Sequence, residues 1–144
     1  MDTINGFRQE DIFQLYAFVK AYEDVGVKSF EKEKDFLSRY PELKGLLKDL
    51  KEVNCYWATS EKMKQLDVKQ LNNEIHLLKY KKSYLLDLLY HLRNAIAHAC
   101  VIEHNGAVLV TDFKVSKPTD FSARGRMELR IIEQITKTLN KVEL

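Results

Sequence analysis

The stretch LNNEIHLLKYKKSYLLDLLYHLRNAI, residues 71–96, decides how the fold is read. Its apolar positions Leu71, Ile75, Leu78, Leu85, Leu89, Leu92 and Ile96 recur at steps of four and three, broken only at Lys82, the repeat of one face of an α-helix. The spacing predicts a central helix of about seven turns, opened by a weak capping pair, Asp67 and Gln70. Toward the N-terminus, Ile12, Leu15, Tyr16, Val19 and Tyr22 predict an amphipathic helix over 7–25 that Gly26 ends. A short charged helix is expected over 29–39, because Pro41 disfavours helical geometry at Tyr40. A third helix then runs from Pro41 through Leu43, Leu46, Leu47, Leu50 and Val53, and 57–63 take no assignment. Toward the C-terminus, Asn105-Gly106 lies between the β-branched runs Val101-Ile102 and Val108-Leu109-Val110, the signature of a two-residue hairpin turn. A loop containing Pro118 and a last helix with Met127, Ile131, Ile132, Ile135 and Leu139 complete the chain. The expectation is therefore all-α, a bundle of four to five helices with a short β-hairpin inserted before the last helix, and one domain over 1–144.

Composition narrows the classes. A chain of 144 residues buries a sufficient core without disulfides or metal. A net charge of +2 carries no argument for nucleic acid, because a patch and not the total makes the electrostatic footprint. Cys55 and Cys100 have neither the spacing of a redox pair nor that of metal ligands, and reduced thiols are expected. No apolar run approaches a membrane span, and Met1-Asp2-Thr3-Ile4-Asn5 lacks the basic and apolar regions of a signal peptide. A cytoplasmic location with no membrane partner is expected.

Within the central stretch, Arg93-Asn94-Ala95-Ile96-Ala97-His98 gathers a fixed cation, an amide that orients, and a group that moves a proton near neutral pH. Those are the parts for cutting a phosphodiester. With six arginines and four histidines in 144 residues, chance supplies roughly 0.17 Arg-x4-His pairs, and requiring the asparagine leaves roughly 0.01. On a helical wheel, Asp87, His91, Asn94 and His98 share a stripe turned away from the apolar face, with Ala95 and Ala97 beside it. Such a face suits a two-fold contact with a second copy of the same helix, the two motifs completing one site. Asp87 and His91 stand four apart like metal ligands, but His98 lies about 10.5 Å along the axis from His91, too far to close one site. No metal and no cofactor are expected.

The segment His91-Leu92-Arg93-Asn94-Ala95-Ile96-Ala97-His98-Ala99 resembles the motif helix of the HEPN superfamily, whose signature is arginine, a polar residue, a short spacer and histidine. The resemblance is specific over about ten residues and otherwise architectural. It implies an all-helical bundle, a homodimer in which two motifs face each other, and a metal-independent endoribonuclease of prokaryotic defence or toxin type, although other members only bind. The branch inactivated by a partner nucleotidyltransferase carries a tyrosine two residues beyond the histidine, and here that position is Cys100.

The expected function is thus cleavage of single-stranded RNA with a 2′,3′-cyclic phosphate product. Arg93, Asn94 and His98 are the catalytic set, with Asp87 and His91 in support. The most basic segment, with Lys114, Lys117, Arg124 and Arg126, is the expected track for the RNA backbone. Besides RNA, a neutralising antitoxin or a larger defence complex is an expected partner. Two alternatives stand beside this reading: a silent HEPN module that binds RNA, nucleotide or protein, and a purely structural helical dimerisation domain.

Overall fold

The four-three repeat of residues 71–96 does not form one helix. In the computed structural model, which describes residues 5–114 and 117–143 without the side chains of 114, 118 and 119, this stretch holds a strand, β2 (Glu74–Leu77), and a helix, α5 (Tyr84–Ala97). In β2 only Ile75 and Leu77 are fully buried, a period of two that the longer repeat masked. Left-handed backbone at Asn73 and Lys82 brackets the strand and its exit loop. Ser83 then starts α5, its hydroxyl accepting the Leu86 N–H at 3.1 Å.

The all-α, helical-bundle expectation is corrected accordingly. The chain is mixed α/β, built on a five-stranded sheet in the order β1-β2-β5-β4-β3. Strand β1 (Asn54–Trp57) runs parallel to β2, and β2, β5 (Lys117–Glu128), β4 (Ala107–Lys114) and β3 (Val101–His104) are antiparallel neighbours. The residues expected to form a loop around Pro118 are the long central strand β5, and Met127 belongs to it, not to the last helix. Ala123, Gly125 and Met127 are buried at every second position, as a strand between two others requires. The hairpin is as expected, with Asn105 at φ 50° and Gly106 at φ 78° between β3 and β4.

Helices α1 (Gln9–Val25), α5 and α6 (Leu129–Leu139) pack together, and α5 lies against β1, β2, β4 and β5. The main core therefore forms between helix side chains such as Phe18, Leu89 and Ile132 and the sheet residues Ile75, Leu77, Val108 and Val110. Gly26 ends α1 in the left-handed conformation at φ 73°, as its position implied. The charged second helix is shorter than expected, α2 (Glu33–Arg39), after a 3-10 turn at Val27–Ser29. Pro41 opens only another such turn, Pro41–Leu43, before α3 (Gly45–Leu50). The unassigned residues that follow are β1 and α4 (Ser60–Lys64), and the Asp67–Gln70 pair opens only a 3-10 turn, without a side-chain cap. Among the described residues no helix is long and apolar enough to cross a membrane.

Candidate functional site

Helix α5 ends at the motif. Its last turn closes with Cys100 N–H on the Ala95 carbonyl and Ala99 N–H on the Ile96 carbonyl, while Ala99 turns left-handed at φ 57°. That reversal places His98 at the C-cap and feeds the chain into β3, so His98 stands over the sheet beside β4.

There its Nδ1 lies 3.1 Å from Asp112 Oδ1. The His98 side chain is 43% exposed and that of Asp112 4%. A buried carboxylate thus holds an accessible imidazole by one nitrogen, accepting from Nδ1–H and leaving Nε2 as the basic atom. Ser122 of β5 donates its hydroxyl to the other carboxylate oxygen, Oδ2, at 3.0 Å. Because Ser122 bonds the carboxylate and not the imidazole, the three do not form a serine-nucleophile triad. Burial and the Asp112 carboxylate also push the Cys100 thiol up, which disfavours its thiolate form.

His98, Asp112 and Ser122 line a cleft of about 340 Å³ together with Asn94, His91 and the aromatic wall of Tyr80 and Tyr90. Asn94 is fixed from behind: Arg93 Nη1 donates to its Oδ1 at 3.1 Å, which leaves the Nδ2 donors for the cleft. Arg93 itself does not line the cleft. Its Nη2 lies 2.6 Å from Glu23 of α1, and its Nε donates to the same carboxylate at 2.8 Å. The structure therefore brings Asn94 and His98 to one cavity and gives Arg93 the place of a positioning residue.

The stripe expected to face a second protomer is largely internal. Asp87 is fully buried, accepting from the Tyr80 and Lys81 backbone N–H groups at 3.0 and 2.7 Å and from Trp57 Nε1 at 3.1 Å. It is a structural clasp between α5, β1 and the 78–82 loop, not a supporting acid or base. Ala95 is fully buried inside the protomer, so a charge introduced there strikes the core and not a dimer contact. Ala97, His98 and Ala99 remain exposed at the helix end.

His91 is buried as well, and its Nε2–H donates to the Leu78 carbonyl at 2.9 Å. Burial lowers its pKa, outweighing the opposing pull of that carbonyl, Asp87 and Asp112. The sign follows: above the ordinary histidine range near 6.5 both folded and unfolded chains hold it neutral, whereas below that range the unfolded chain takes up a proton first. Stability contributed by His91 is thus complete at neutral pH and is lost as pH falls. We expect His91→Gln, which keeps a donor for Leu78, to show a smaller drop in Tm between about pH 7.5 and about pH 5 than the parent. An equal drop in both proteins would remove this role.

The expected RNA track is corrected in part. Arg124 Nη1 donates to the carbonyls of Met63 and Leu66 at 2.8 and 3.2 Å, and Arg126 Nη1 reaches the Leu71 carbonyl at 3.5 Å. Both guanidiniums tie the 60–71 segment to β5 through one nitrogen each, Nη1. Lys117 is exposed at the start of β5, and the Lys114 side chain lies outside the described residues. His76 is half-buried with Nε2 2.7 Å from Glu74 Oε2. No group of His, Cys, Asp and Glu able to hold a metal occurs among the described residues.

Sequence reasoning missed Asp112 and Ser122. A signal for Asp112 was present: it stands on the same parity of β4 as Val108 and Val110, which join the main core, and a carboxylate on that parity needs a partner. No protein-family model, no characterised protein and no solved structure matches this chain. The geometry of the cleft and the short motif therefore carry the functional argument.

Proposed function

We propose that the cleft cleaves single-stranded RNA without a metal ion, as an endoribonuclease. The observation that carries the reading is the His98–Asp112 pair: an accessible imidazole held by a buried carboxylate, beside the amide of Asn94 in a cavity. In the reaction, His98 Nε2 takes the proton of a ribose 2′-hydroxyl, whose oxygen attacks the adjacent phosphorus as the bond to the 5′-oxygen breaks. Asn94 Nδ2 and Lys79, which also borders the cleft, donate to the phosphoryl oxygens. The departing 5′-oxygen needs a proton, and a second copy's His98 supplies it in a homodimer joined near the exposed helix end 97–99. The likeness of Arg93, Asn94 and His98 to the HEPN motif supports the same chemistry.

The test is incubation of the purified protein with end-labelled single-stranded RNA, with and without chelator. Expected are products ending in a 2′,3′-cyclic phosphate, undiminished cleavage in chelator, and a rate that falls faster than protein concentration on dilution, as a two-copy site requires. Cleavage that stops with chelator, or products ending in a 3′-hydroxyl, overturns the mechanism. One observation favours the alternative of a silent binding module: the Glu23 carboxylate already occupies the Arg93 guanidinium. Binding without any cleavage would select it.

A further inference from the structure

We propose that a single strand of nucleic acid leaves the cleft along an aromatic and lysine track that ends at β1, the edge strand of the sheet. The proposal rests on the reading of the cleft as the scissile end, and its geometry is separate from it. Tyr80 belongs to the cleft wall, its ring 4.4 Å from that of Tyr90. The next residue along the track is Trp57, joined to Tyr80 through Asp87, whose Oδ2 accepts from both the Trp57 indole and the Tyr80 backbone. Lys79, at the border of the cleft, holds its Nζ 4.5 Å over the Trp57 ring. Tyr84 stacks on Trp57 with centroids 4.0 Å apart and planes within 18°. Beyond it, Tyr84 separates two grooves, one bordered by Lys32 and Lys82 and the other by Lys51 and Tyr56.

Three observations give this surface its occupant. Tyr56, Tyr80 and Tyr84 are 46%, 49% and 39% exposed, an aromatic series that folding leaves uncovered. The lysines that border the grooves, Lys32, Lys51 and Lys82, are exposed point charges of the sign a phosphate backbone needs. Lysines outnumber the acidic side chains along the two grooves, with Lys32, Lys51, Lys81 and Lys82 against Glu31 and Glu33. Flat rings alternating with cations suit unpaired bases, because every base has a face to stack and a duplex hides it.

Trp57 is the only tryptophan in the chain, so its fluorescence reports the track directly. Titrate a single-stranded DNA dodecamer, which lacks the 2′-hydroxyl and stays intact, together with its duplex form and a 2′-O-methylated RNA dodecamer, which has no free 2′-hydroxyl to attack. Both single strands are expected to quench Trp57, and the duplex to bind at least roughly tenfold more weakly. Tyr84→Ala and, separately, Tyr56→Ala with Lys82→Ala are expected to weaken single-strand binding roughly tenfold. Tyr56 and Lys82 leave the Trp57–Tyr84 stack intact, so the second variant covers a folding defect in the first. A dinucleotide too short to leave the cleft should be cut by these variants at the parent rate. Equal binding by the variants and the parent, absent quenching, or a duplex bound as tightly as a single strand overturns the track, even when the dinucleotide is cut. Binding that needs Tyr84 and Tyr56 while nothing is cut supports the track and removes the cleavage reading instead.

Discussion

His98→Ala is expected to eliminate the proposed RNA cleavage while the protein remains folded, and Asp112→Asn to lower it roughly 10²- to 10⁴-fold, the range that proton transfer by a placed side chain contributes. The His98 side chain is exposed enough that its loss costs little packing. Asp112 acts through the imidazole: its carboxylate accepts from Nδ1, fixing both the ring and the tautomer that leaves Nε2 basic. An asparagine can present an N–H to that nitrogen instead, which favours the wrong tautomer. A purely structural Asp112 would lower activity only in step with the folded fraction. The distinguishing readout is therefore activity per folded molecule, which should fall in Asp112→Asn and recover in part in Asp112→Glu, where a carboxylate can again accept from Nδ1. Activity proportional to folded protein in both variants would return Asp112 to the scaffold, and cleavage surviving in His98→Ala would overturn the chemistry.

Half of this site was legible without coordinates. Arg93, Asn94 and His98 stand on one helix and carry a local pattern, so their spacing alone fixed their relation. Asp112 and Ser122 come from β4 and β5, and the pairing that brings them to the helix end is a property of the sheet. The fold failed at a related point. Over 71–96 a short strand and a helix happened to place leucines and isoleucine at helical intervals, and short apolar runs do not separate the two by period alone. What marked the break was Lys82 followed by Ser83, a left-handed residue before an N-cap. The wheel put Asp87 and His91 opposite Leu85, Leu89, Leu92 and Ile96 and so on an outer face, but α5 is buried nearly all round, with Leu86, Leu88 and Ala95 covered too. Strand β5 was harder still. Its arginines, Arg124 and Arg126, read as an RNA track because their charges are visible in sequence and the carbonyls that Nη1 of each meets are not.

Gly125→Ala is expected to lower stability by at least about 3 kcal/mol, the upper end of the cost of forcing atoms into a packed interior. Gly125 sits in the middle of β5 with Ile75 of β2 across one side and Val110 of β4 across the other. A Cβ there would clash with the Glu74 carbonyl oxygen and stand 2.6 Å from Ile75 Cα. Both are backbone atoms, so no side-chain rotation relieves the clash, and β2 must move away from β5. For a chain of this size the loss corresponds to a Tm lowered by roughly 10 °C. The damage should be directional as well. Strand β2 leads directly to Leu78, whose carbonyl holds His91, and to the Lys79–Tyr80 wall of the cleft. Displacing β2 therefore loosens that wall and leaves the His98–Asp112 pair between α5 and β4 in place. Thermal unfolding gives the first number, and titration of the single-stranded dodecamer below the lowered Tm gives the second. A variant with parental Tm and parental binding would show that β2 and β5 tolerate separation, contrary to the close approach that only glycine permits.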